Sequence, residues 1–95
     1  MKRYRHLVAY DIRDQKRLRL VHRVMKGFGM PFPYSVFLCD LTSAERLDLL
    51  KQLTAIIEAG EDTIAAVDLG DPKNEHLFTF LGPRPSMPRS GPTIV

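Results

Sequence analysis

The chain has 95 residues, 44% of them hydrophobic and 26% charged, with a formal net charge of +3 and a single cysteine. This length makes one domain the natural count. The lone cysteine excludes an internal disulfide and any CxxC metal motif, and no apolar run is long enough to span a membrane.

The N-terminal MKRYRHLVAY is basic, but its apolar run is too short for a secretion signal and leads directly into a strand, so a cytoplasmic protein is expected. Residues 4–12, YRHLVAYDI, have the β-forming composition of a strand closed by Asp11. Asp14 is placed to cap the helix that follows, because its carboxylate can accept from free N–H groups of the first turn. Leu18, Val21, Met25 and Phe28 recur at helical spacing and predict a helix over 16–28. Lys16, Arg19, Arg23 and Lys26 fall on another face, spread over roughly 80° at about 100° per residue. His22 borders the apolar side, which suggests a partly buried structural role.

Residues 34–41, YSVFLCDL, predict one further strand, with Pro31 and Pro33 placing its start at an edge or bend. Cys39 within it is expected to be a small core residue. Thr42 and Glu45 fit a capping box. The helix they open has the apolar set Leu47, Leu50, Leu53, Ile56 and Ile57, with Gly60 beyond its end. Two more strands are expected, at 62–69 and 76–82, separated by the turn-prone GDPKNE. The order is then strand, helix, strand, helix, strand, strand: an α+β sheet covered on one face by two helices. Residues 83–95 form a Pro-rich tail to the 1–82 domain, and its β-branched end, Thr93, Ile94 and Val95, could add to a sheet edge, including that of another chain.

Charge is unevenly distributed along this order. Residues 1–30 hold nine Lys or Arg against two acids, residues 40–75 hold three against nine, and Arg84 and Arg89 complete the basic set. A basic N-terminal third suggests an anionic partner on one face, such as nucleic acid; a solvated basic helix face is the plain alternative.

Few residues suggest chemistry. The chain has no Walker loop, GxGxxG or HExxH motif; its histidines are scattered, and Ser35 lacks a nucleophile-elbow context. Asp11 remains, at the end of an apolar strand with arginines at 13, 17 and 19. An acid there is commonly a turn residue. Mg²⁺, however, often takes only one or two protein carboxylates, and a two-fold axis could bring two Asp11 side chains together.

The segments VAYDIRD, RLRLVHRVMKGFG, YSVFLCDL, EDTIAAVDLG and the closing GPTIV resemble the small CRISPR-associated endonuclease family of the spacer-adaptation machinery, the Cas protein numbered two. The resemblance runs in order over nearly the whole chain. It implies a ferredoxin-like βαββαβ domain, a symmetric homodimer, and a C-terminal strand that joins the partner's sheet. It also implies partnership with dimers of the larger adaptation integrase, and action on DNA (the protospacer) or single-stranded RNA. Carried onto this chain, Asp11 is the catalytic residue and a Mg²⁺ ligand, one from each of two chains. Arg17 and Arg19 then contact nucleic acid, joined by Arg23 from the basic helix face, while Tyr10, Ser35 and Phe37 lie beside the cleft. The chain departs from the family pattern before its second strand: it carries GMPFP where some members have a basic residue, and Pro33 stands at a usually polar position.

The implied activity is metal-assisted phosphodiester hydrolysis. The alternative is a non-catalytic, dimeric DNA-binding scaffold of the integration complex. A ferredoxin-like RNA-binding module ranks lower, because such modules stack bases on sheet aromatics and the strand aromatics Tyr10, Phe37, Phe78 and Phe80 look unclustered in sequence.

Overall fold

The structure, a computed structural model, describes residues 1–32, 36–85 and 87. Its elements are β1 (Tyr4–Asp11), α1 (Gln15–Phe28), β2 (Met30–Phe32), β3 (Val36–Leu41), α2 (Ser43–Ile56) and β4 (Thr63–Gly70). The four strands form one sheet in the order β2-β3-β1-β4, with every neighbouring pair antiparallel. This is the ferredoxin-like βαββαβ arrangement.

Local sequence signals set both helix starts. Asp14 caps α1 and accepts the Arg17 backbone N–H at 2.9 Å. Thr42 and Glu45 make the reciprocal capping box of α2. The core lies between the helices and one face of the sheet: Val8, Phe37, Cys39 and Leu41 from the strands, Val21 and Met25 from α1, Leu49 and Leu53 from α2. Cys39 is fully buried, and burial pushes its thiol up to about 12.

Three expectations are corrected. The strand expected over 34–41 is β3, from Val36, and an unexpected strand, β2, precedes it, with Met30, Pro31 and Phe32 opposite Leu38, Phe37 and Val36. Pro31 is tolerated because β2 is an edge strand. At the α1–β2 junction Gly29 passes so close to β3 that a Cβ would overlap the Leu38 carbonyl oxygen and the Cys39 sulfur. In α2, Leu49 rather than Leu47 faces the core: Leu49 is 1% exposed and Leu47 61%. Finally, residues 76–82 are not a strand. A 3₁₀ turn at Glu75–Leu77 breaks the segment. Beyond it Phe78 and Phe80 stack with parallel rings at 5.8 Å, and both pack on Phe32 of β2. Their alternation reflects this shared contact rather than a ladder, and the aromatics are clustered after all.

Strand alternation gives the sheet a second face, turned away from the core cluster. Arg5, Leu7, Ala9 and Asp11 of β1 share it with Val36, Leu38 and Asp40 of β3 and with Thr63, Ala65 and Val67 of β4. One end is closed by a buried, two-pronged ion pair between the directly opposed Arg5 and Asp40, at 2.8 and 2.9 Å. The middle is apolar and partly open, with Val67 49% exposed. The expected exchanged strand at the C-terminus, and Ser35, lie outside the described residues.

Candidate functional site

Asp11 is the last residue of β1 and pairs with Thr63, the first of β4. Its side chain is 71% exposed, and its charged contact is Arg13, 3.9 Å away and equally open to solvent. The carboxylate is therefore not consumed by internal hydrogen bonds. Among the described residues no group of three or more His, Cys, Asp or Glu comes together to hold a metal. Asp11 is a hard oxygen donor, the type taken by an ion such as Mg²⁺ that keeps most of its coordination for water and substrate oxygens.

Behind Asp11 lies a junction that the sequence did not reveal. The Asp62 side chain is completely buried. It accepts the backbone N–H of Arg13 and of Glu58, each at 2.9 Å. It also accepts both arms of the Arg17 guanidinium, Nε at 2.8 Å and a terminal nitrogen at 3.3 Å. Arg17 hydrogen bonding, then the two backbone donors, hold the Asp62 carboxyl well below the usual carboxylate range. Asp62 raises the Arg17 pKa in turn. Glu61 adds a contact to Arg17 at 3.6 Å. A buried carboxylate is costly unless fully paired, and this one is. No local sequence signal points to the pair, because Arg17 and Asp62 are 45 residues apart.

The basic residues of α1 divide accordingly. Arg17 is turned inward, with 24% of its side chain exposed. Lys16, Arg19, Arg23 and Lys26 are exposed and leave their charge facing solvent.

Tyr10 and Phe37 lie on the other side of the sheet from Asp11. Phe37 is a core residue, 1% exposed. Tyr10 packs on it at 6.2 Å, and the His22 ring meets it edge-on at 5.5 Å. The Tyr10 hydroxyl and His22 Nδ1 are 3.1 Å apart, and burial raises the phenol's pKa. His22 itself is exposed rather than partly buried. Because successive strand residues point to opposite faces, neither Tyr10, Phe37 nor His22 joins Asp11, so His22 is no candidate base for it.

Comparison with known proteins adds the decisive observation: the family model described as "CRISPR associated protein Cas2" matches residues 4–76. The chain belongs to the Cas2 family. The Cas2 relatives include "CRISPR-associated endoribonuclease Cas2 1" of Rhodospirillum rubrum, 38% identical over 72 residues, covering 76% of this chain and 71% of that one. "CRISPR-associated endoribonuclease Cas2 2" of Thermodesulfovibrio yellowstonii is 38% identical over 77 residues, covering 81% of each. Among solved structures, Cas2 from Streptococcus pyogenes superposes with a TM-score of 0.71 at 36% identity, over 82% of this chain and 99% of that one. The Cas2 fold read from the strand order is thus that of an experimentally solved relative.

Proposed function

We propose that this chain is a homodimeric, Mg²⁺-dependent phosphodiesterase of the CRISPR adaptation machinery, working on nucleic acid in the cytoplasm alongside dimers of the larger adaptation integrase. The observation that carries the reading is an exposed carboxylate, weakly contacted by Arg13, at the margin of an apolar sheet face. Leu7, Ala9, Ala65 and Val67 on that face favour a second copy, and an isologous contact there repeats every residue across the axis. Two Asp11 side chains would then hold Mg²⁺, which supplies charge neutralisation and an acidified water for attack on phosphorus. Among the described residues β4 is an edge strand, which suits an added strand, the role proposed for Thr93–Val95 of a partner.

The chain's own residues supply position and charge. Arg19 and Arg23, with Lys16 and Lys26, bind backbone phosphates and give affinity without sequence choice. Asp11 presents its oxygens from a rigid strand end. The names of the relatives, endoribonuclease among them, support phosphodiester hydrolysis as the class of reaction. Asp11→Asn tests it: cleavage of single-stranded RNA and of duplex DNA in Mg²⁺ is expected to fall to the level seen in EDTA. Unchanged cleavage by the variant would remove Asp11 from the chemistry.

The scaffold reading is favoured by a different observation, the exposed basic stripe of α1, which needs no metal to hold phosphate and lies across the sheet from Asp11. Spacer integration by Asp11→Asn separates the two. Loss of integration supports catalysis, and normal integration supports the scaffold.

A further inference from the structure

We infer that Arg17 and Asp62 are a positioning pair for Asp11, and that Arg17 does not belong to the phosphate-binding surface. The inference rests on the reading of Asp11 as the metal ligand. Asp11 is exposed and weakly contacted, so its oxygens stand wherever the backbone of residues 11–13 puts them. That backbone is held at both ends. Asp11 pairs with Thr63 in the sheet, and two residues later the Arg13 N–H donates to Asp62, the residue just before Thr63.

Arg17 locks the arrangement. Its guanidinium takes both Asp62 oxygens, while its backbone N–H is capped by Asp14. Asp62 also receives the Glu58 N–H from beyond the end of α2. One buried carboxylate therefore fastens the end of β1, the start of α1, the exit of α2 and the start of β4. An ion shared by two carboxylates from two chains needs such a base, because ligands must be held within about 0.5 Å of the productive geometry and the placement error of each protomer counts. A plain turn would need one hydrogen bond; four donors on a fully buried carboxylate is a stiffer device. The same bonds neutralise Arg17 locally, which removes it from the stripe formed by Arg19 and Arg23.

The test uses the untagged full-length chain and Mn²⁺ as the probe. Arg17→Gln breaks the fork but leaves Asp62 its two backbone donors, and Arg17→Lys keeps a charge without the fork. Mn²⁺ binding is followed by paramagnetic resonance, amide hydrogen exchange at Arg13 by NMR, and duplex affinity against salt. Expected for Arg17→Gln is Mn²⁺ binding weaker by about tenfold, the scale seen when outer-shell partners are lost. Arg13 exchange should be faster and the salt slope unchanged, with Arg17→Lys intermediate. A salt slope reduced by about one unit, with Mn²⁺ binding intact, would make Arg17 a phosphate contact and overturn the inference. So would unchanged Mn²⁺ binding with faster exchange, which leaves a merely structural clamp. Asp11→Asn is the parallel arm. If it binds Mn²⁺ like the parent chain, the Asp11 reading fails and the positioning role with it; if it loses Mn²⁺ while Arg17→Gln does not, the positioning role alone fails.

Discussion

Replacing Arg19 and Arg23 together by glutamine removes half of the exposed cations that α1 carries, leaving Lys16 and Lys26. If each of the four holds one phosphate, log affinity falls against log salt with a slope of about −3.6 per protomer, at about 0.9 per neutralised phosphate. Raising salt from about 50 to about 200 mM then costs the parent chain a factor of roughly 150 in affinity per protomer. The double variant retains a slope of about −1.8 and loses a factor of only roughly 12 over the same range. Fluorescence anisotropy of a short labelled duplex, titrated at four or five salt concentrations, measures the slope directly. Both side chains are exposed on a helix whose buried face is untouched, so urea midpoints should not move. An unchanged slope in the double variant would refute the argument and place the phosphate surface elsewhere.

Core and surface leucines of α2 provide a packing test: Leu49→Ala should cost about 3 kcal/mol, in the range for buried leucine truncation, and Leu47→Ala no more than about 0.5 kcal/mol, both by urea unfolding. Acid should weaken the fold. Asp62 and Glu45 are held below their ordinary range, each by an arginine hydrogen bond first. Their contribution is complete above about pH 5 and is lost as pH falls through the depressed range, where the folded state must at last take up protons. Urea midpoints measured downward from pH 6 should therefore fall, and less steeply in Arg17→Gln; a midpoint flat to pH 2 contradicts this. Truncation before Gly91 should lower the solution mass by light scattering to that of a monomer; a truncated chain that remains a dimer would leave strand exchange without a role.

What could be read in the sequence was what neighbouring residues decide. Asp14 and the Thr42–Glu45 box act within one helical turn, and both caps are present as expected. The basic stripe also follows from spacing alone. Leu47 and Leu49 show the limit: with leucines at 47, 49, 50 and 53, α2 is apolar around much of its circumference, and only the sheet beneath it selects Leu49. β2 is three residues long and contains a proline, too little for a periodic signal. Phe78 and Phe80 alternate as a strand would because both lie on Phe32. The Arg17–Asp62 pair joins residues 45 apart in sequence, which local pattern cannot see. The opposite orientation of Tyr10 and Asp11, by contrast, follows from strand alternation alone.

That last feature has a consequence for how such a protein can change. β1 is a partition: Tyr10 looks toward the helices, Asp11 toward the face where a second copy is proposed to sit. Substitutions on the two sides share few contacts, so their effects should add rather than interfere. On the function proposed above, one side would drift from cutting toward holding by losing the Asp11 carboxylate, while the basic helix on the other would keep its hold on phosphate. Nuclease and scaffold are then not two designs but two settings of one sheet, one residue apart.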